Sequence, residues 1–255
     1  MLLRRDEGQI ATLTLNRPRQ LNALSEALID ALATEIDRLA REPAVRVVVL
    51  AGAGPAFSAG HDLKEMRGRP DLEYYRALFA KCAQMMARLG RLPQPVIARV
   101  HGPAAAAGCQ LVASADLAVA ATDARFATSG INVGLFCATP AVPLTRVVPA
   151  KAAFEMLVTG DFIDAEEAHR LGLVNQVVPP GELDRAVTAM AGRILAKPAA
   201  AIAAGKRLVH AQRDKSQSEA YGLAVEAMAC GMMAEDAVEG IDAFLAKRPP
   251  RWPRT

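Results

Sequence analysis

The sequence predicts an α/β fold that gives way to a helical C-terminal region. Three observations carry that prediction. Residues 45–50 form a strongly β-branched run, two strand–small-residue loop–helix units resemble each other, and helical periodicity dominates after about residue 140. The 255 residues are 52% apolar and 22% charged, which is ordinary for a globular chain with one large core.

The elements follow in order. Residues 9–15 alternate as a half-buried strand does. Ser25 precedes Leu28, Leu32, Ile36 and Leu39 on one face, so it reads as the N-cap of a helix ending near Arg41. Strand 45–50 runs into a loop of small residues at 51–60. A helix over 71–91 is closed by Pro93 and Pro95, and Pro95 opens a buried strand at 96–100. A second small-residue loop leads to a short helix at 109–113, then a strand at 116–121 and an extended piece at 125–127. Helices are expected at 150–158, 165–171, 181–196, 198–211, 218–231 and 235–247, with a strand at 174–178 among them. Leu223, Val225, Met228, Met232 and Met233 suit either a subunit interface or core packing.

Several function classes drop out. The net charge is only +3, and basic residues are interspersed with acidic ones, so neither a nucleic-acid stripe nor a polybasic membrane patch is expected. The stretch 104–121 is broken by Gln110, Ser114 and Asp116 and is too interrupted to span a bilayer. The N-terminus meets acid before any apolar run, which argues against a signal peptide and makes the cytoplasm the expected compartment. Cys82, Cys109, Cys137 and Cys230 form no C-x-x-C pair and read as buried free thiols. His61, His101, His169 and His210 have no metal-ligand spacing, so no metal is expected. Gly52 and Gly54 suggest a dinucleotide fingerprint, but the third glycine position falls at Phe57. Nucleophile-elbow and phosphate-loop motifs are also missing.

What remains is a pair of small-residue loops, Phe57-Ser58-Ala59-Gly60-His61-Asp62-Leu63-Lys64 and Ala104-Ala105-Ala106-Ala107-Gly108-Cys109-Gln110, each ending at a helix start. Helix starts present unpaired N–H groups, and two that converge would hold a carbonyl oxygen that gains charge. Close packing of backbone is the plainer account of the same residues.

These motifs, with Asn16-Arg17-Pro18, Leu21-Asn22-Ala23-Leu24, Phe126-Ala127-Thr128-Ser129-Gly130-Ile131 and the later Thr159-Gly160 and Gly172-Leu173-Val174, resemble the crotonase (enoyl-CoA hydratase/isomerase) superfamily from about residue 8 to 250. The resemblance implies a spiral of ββα units over 1–197 with the acyl-CoA site, and a helical oligomerisation region over 198–255. It implies a homotrimer or dimer of trimers. No bound cofactor is implied; CoA enters as part of a thioester substrate. Carried over by position, the backbone oxyanion donors fall at His61 and Ala107. Ala59, His61, Asp62, Leu63, Lys64, Ala107 and Gly108 would line the CoA-thioester site, with Lys64 near the phosphates.

The sequence departs from the family's hydratases at both glutamate positions, which are Gln110 and Gly130 here. A carboxamide cannot exchange a proton near neutral pH and glycine offers only backbone. Each general acid or base contributes about 10²–10⁴-fold, so classical hydration is expected to be weak or absent. Two readings stay open: an enzyme running another CoA-thioester reaction, or a non-catalytic acyl-CoA-binding or regulatory protein. For the first, Cys137 and the side chains of His61 and Asp62 are candidate acid–base groups. The plainer roles are core filler for Cys137 and a helix cap for Asp62.

Overall fold

The computed structural model describes residues 1–252; the last three residues of the expected 198–255 region lie outside the described residues. A hairpin opens the chain, with β1 (Leu2–Glu7) antiparallel to β2 (Ile10–Leu15) around Gly8 in the left-handed region. α1 (Glu26–Leu39) starts at Ser25, whose side chain accepts from the Leu28 N–H as its sequence position predicts. Its buried face is Leu28, Ile29, Leu32, Ile36 and Leu39. Each such side chain contributes about 1.5–3 kcal/mol on burial.

β3 (Val47–Gly52) follows, then α2 (Leu63–Gly68), α3 (Leu72–Arg91) and β4 (Val96–Val100). β5 (Ala104–Ala105) leads directly into α4 (Ala107–Ser114), which is succeeded by β6 (Leu117–Ala121) and β7 (Arg125–Ala127). α5 (Ala138–Val147), α6 (Ala150–Thr159), β8 (Ile163–Asp164), α7 (Ala165–Arg170) and β9 (Gln176–Val178) complete the central part. The chain ends in α8 (Leu183–Leu195), α9 (Ala199–Ala211), α10 (Gln217–Met232) and α11 (Glu235–Leu245).

β1-β2-β3-β4-β6-β9 form one six-stranded sheet, parallel from β2 onward, and β5-β7-β8 form a small second sheet. Parallel neighbours require crossovers, and the repeated crossover on one side winds the chain into the expected spiral of β and α units. Val48 and Leu50 point into the main core with α1 and α3, while Val47 and Val49 face the second core under α8. Burial on both faces explains why 45–50 reads as a continuous apolar run.

Two expectations need correction. Cys82, Cys109 and Cys137 are buried thiols, but Cys230 on α10 is exposed. The apolar side chains of α10 do not enter the core of the protomer: Val225, Met228, Met232 and Met233 are 53–84% exposed. α9 is anchored instead by Lys206, whose buried ammonium donates to the carbonyls of Leu89 and Gln94 (2.9 Å each) and to Asp116 (2.5 Å).

Candidate active site

The two small-residue loops do converge. Asn22, fully buried and left-handed at φ 54°, donates from its amide to the carbonyls of Ala53 and Ala56 (2.8 Å each), pinning the first loop. Ser58 pairs with Ala104 in an isolated parallel bridge, and the Ala105 N–H donates to the Ser58 carbonyl at 2.8 Å. Two glycines permit the approach. A Cβ at Gly60 (φ +93°) would lie 2.8 Å from the Ala106 Cβ and 3.1 Å from the Ala107 nitrogen; one at Gly108 would strike the Ser58 carbonyl.

Ala106 adopts φ 49°, ψ −116°, a conformation that disfavours any side chain and stores about 1–3 kcal/mol. Its own N–H donates to Ala127 at 2.9 Å. Ala107 begins α4, and its N–H has no acceptor among the described residues; nor does that of His61. Both residues border one cavity of about 210 Å³.

That cavity also takes Ala59, Leu63, Gly130 and Cys137, so these sequence-predicted residues are brought together. Four others are not part of its wall. Asp62 is a positioning group: it caps α2 by accepting from the Glu65 N–H and bonds Arg17 at 2.9 Å. Burial pushes its carboxyl up, but the hydrogen bonds from Arg17 and the backbone outweigh this and hold it below its ordinary value. Lys64 is exposed on α2, and Gly108 packs on Ser58. Gln110 is the fourth. At 3% exposure it borders a different cavity, and its carboxamide Oε1 has no hydrogen-bond partner among the described residues.

Met66, Phe79, Val133, Leu135 and Phe136 also line the site and were not read from the sequence. Phe79 lies edge-on to the His61 ring at 5.3 Å. Burial holds that imidazole down at about 4, hence neutral at pH 7, and its Nε2 has no partner. Cys137 accepts from the Gly130 N–H at 3.2 Å, but burial dominates and pushes its thiol up. Gly130 is enclosed: a Cβ there would meet the Leu135 carbonyl at 2.5 Å and Cys137 Sγ at 2.7 Å.

A family model described as enoyl-CoA hydratase/isomerase matches residues 5–255. The chain belongs to the enoyl-CoA hydratase/isomerase (crotonase) family. The rat enoyl-CoA hydratase domain-containing protein 3, mitochondrial, is 44% identical over 97% of this chain and 83% of its own length. A crystal structure of enoyl-CoA hydratase from Mycobacterium smegmatis matches with TM-score 0.97 and 59% identity over 98% of both chains. The crystal structure of human enoyl-CoA hydratase domain-containing protein 3 matches with TM-score 0.95 and 41% identity over 98% of this chain and 99% of that one. The cytoplasmic expectation is overturned by these relatives: the rat, mouse, Xenopus laevis and human proteins, 42–44% identical, are all named mitochondrial. Charge order at an N-terminus is too coarse a signal to assign a compartment.

Proposed function

We infer that this crotonase-family protein binds CoA thioesters in the 210 Å³ cavity and polarises the thioester carbonyl between the backbone N–H groups of His61 and Ala107. The observation that carries this reading is that both groups lack acceptors while their converging loops wall the same cavity. Donors fixed before charge develops need no reorganisation at the moment of reaction, and one such donor is worth about 10²–10³ in rate. Ala59 and Leu63 border the thioester and Gly108 lets α4 approach it. Asp62 holds the loop through Arg17, and exposed Lys64 is available to CoA phosphates.

Paired-carboxylate hydration does not fit. Among the described residues, the cavity's titratable side chains are His61, held neutral, and Cys137, held as the thiol. Gln110 and Gly130 supply no proton-exchanging group. Classical hydration is therefore weak or absent, and one reading is an enzyme running another reaction of the thioester, with the neutral His61 imidazole as a candidate acid–base group. The lack of a carboxylate equally favours a second reading, a non-catalytic acyl-CoA-binding or regulatory protein. Turnover across a panel of acyl-CoAs decides between them. The exposed apolar side chains of α10 and α11 support assembly as a trimer or dimer of trimers, and a monomer by light scattering excludes that.

Ala107→Pro tests the donors directly. It removes one N–H, and proline also disfavours the conformation of the residue before it, here the strained Ala106. Calorimetric titration with an acyl-CoA is expected to weaken by about two- to tenfold, the worth of a neutral hydrogen bond to the thioester carbonyl, while Cys109→Ser leaves affinity unchanged. A folded Ala107→Pro chain of unchanged affinity overturns the assignment.

A further inference from the structure

Gln110 opens onto a second cavity of about 760 Å³ that the thioester reading does not use. Two helices run from one cavity to the other. On α4, Ala107 borders the first, and Gln110 and Ser114 border the second. On α5, Thr139 borders both, and Val142 and Arg146 border the second. α4 advances about 10 Å from Ala107 to Ser114 at about 1.5 Å per residue, and the two cavities adjoin at Thr139, which borders both.

Met86, Val142 and Val147 give the second cavity an apolar part of its wall. The charged groups facing it are mostly paired. Asp116 holds Lys206 at 2.5 Å and His210 at 3.3 Å, and Asp214 reaches Arg146 at 3.5 Å. Arg91 and Arg213 also line the cavity, and neither has a carboxylate partner among the described residues. On the wall of the second cavity lies the Gln110 side chain, nine-tenths buried, whose carboxamide Oε1 has no partner among the described residues although such an oxygen normally finds a hydrogen bond.

We propose that the second cavity selects acyl chains ending in an anionic group: the chain passes Gln110 from the thioester site and its terminal carboxylate is held by Arg91 and Arg213. The substrate class is the ω-carboxyacyl-CoA thioesters. This deepens, and rests on, the assignment of the first cavity as a CoA-thioester site. The carboxamide, donor and acceptor at once, bonds water that accompanies the chain. Guanidinium groups suit the chain terminus because they pair with carboxylates through parallel N–H bonds.

The test is calorimetric titration of the full chain with free CoA, with hexanoyl- through decanoyl-CoA, and with the ω-carboxy counterpart of each. At the best-fitting length, the ω-carboxy thioester is expected to bind about tenfold tighter than its unsubstituted partner, the worth of a charge-assisted hydrogen bond. In the Arg91→Ala/Arg213→Ala double variant that preference disappears, while unsubstituted chains bind as before. Arg213→Glu, a surface change that leaves the core intact, is expected to reverse the preference. Equal affinity for both series at every length overturns the proposal and leaves the thioester assignment standing, as does a preference that survives loss of both arginines. Failure of every CoA thioester to bind overturns the thioester assignment itself, and this proposal with it.

Discussion

Gln110 and Gly130 stand at the two positions where the family resemblance expects a hydratase glutamate, and the structure treats the two absences differently. Gln110 keeps a long side chain, buried and unpartnered, beside a large cavity. Gly130 sits in a closed turn whose N–H reaches Cys137 Sγ and whose carbonyl receives the Leu135 N–H at 3.0 Å. A side chain there meets a backbone carbonyl within its first carbon. The first position has changed chemistry and kept its shape; the second has been built over.

The largest effect should come from forcing the second position. Gly130→Ala is expected to cost about 1–3 kcal/mol, because overpacking against backbone cannot relax by a rotamer change. Gly130→Glu adds an unpartnered carboxylate and should cost about 3 kcal/mol or more, read as a lowered denaturant midpoint. If the alanine variant is as stable as the parent, the 135 carbonyl gives way and the contrast between the two positions collapses.

Acid should find the Gly130 side of the site before the Gln110 side, since a carboxamide does not titrate. Burial lowers His61 to about 4 from 6.5, so between those values the unfolded chain binds a proton that the folded chain refuses. Stability present above pH 6.5 is lost as pH falls through about 4, by about 3 kcal/mol in all. Denaturant unfolding at a series of pH values checks this. His61→Gln should flatten that part of the profile, and a variant as acid-sensitive as the parent would assign the loss to other groups.

Much of this was legible in the sequence, for physical reasons that differ by element. Ser25 capping α1 and the apolar run of β3 follow from local rules, so they were read correctly. β1 was missed because Leu-Leu-Arg-Arg-Asp-Glu lies at a sheet edge, largely exposed, and so shows little alternation. α5 does not show in the sequence because Pro143 lies inside it, where proline argues against a helix; packing of α5 on α4 overrides that preference. The loops 57–64 and 104–110 were found because only small residues allow backbone to approach backbone. Phe79 and Val133 were not, because a cavity assembled from a distant helix and an aperiodic turn leaves no local pattern. Nor does any sequence signal separate Gln110 from the first cavity: it lies one turn along α4 from Ala107, and which cavity that turn borders depends on how α3 and α5 pack against it.

The smallest effect, and the sharpest test of the contrast, is Gln110→Glu. The exchange preserves shape and restores one of the two carboxylates. With no hydrogen-bond partner at Oε1, burial should raise the new carboxyl above its ordinary value. The variant should therefore be less stable than the parent at neutral pH, and the deficit should vanish below about pH 4.3, where the carboxyl is protonated in folded and unfolded chains alike. Hydration of crotonyl-CoA should rise by less than about tenfold, because the restored group borders the second cavity and the Gly130 turn leaves no place for its partner. A gain of about 10² or more would mean that one carboxylate suffices and that the closed turn is no obstacle to hydration. No gain, in a chain that still binds acyl-CoA, would place the barrier at the enclosed glycine, where no single substitution can remove it without rebuilding the stretch from Gly130 to Cys137.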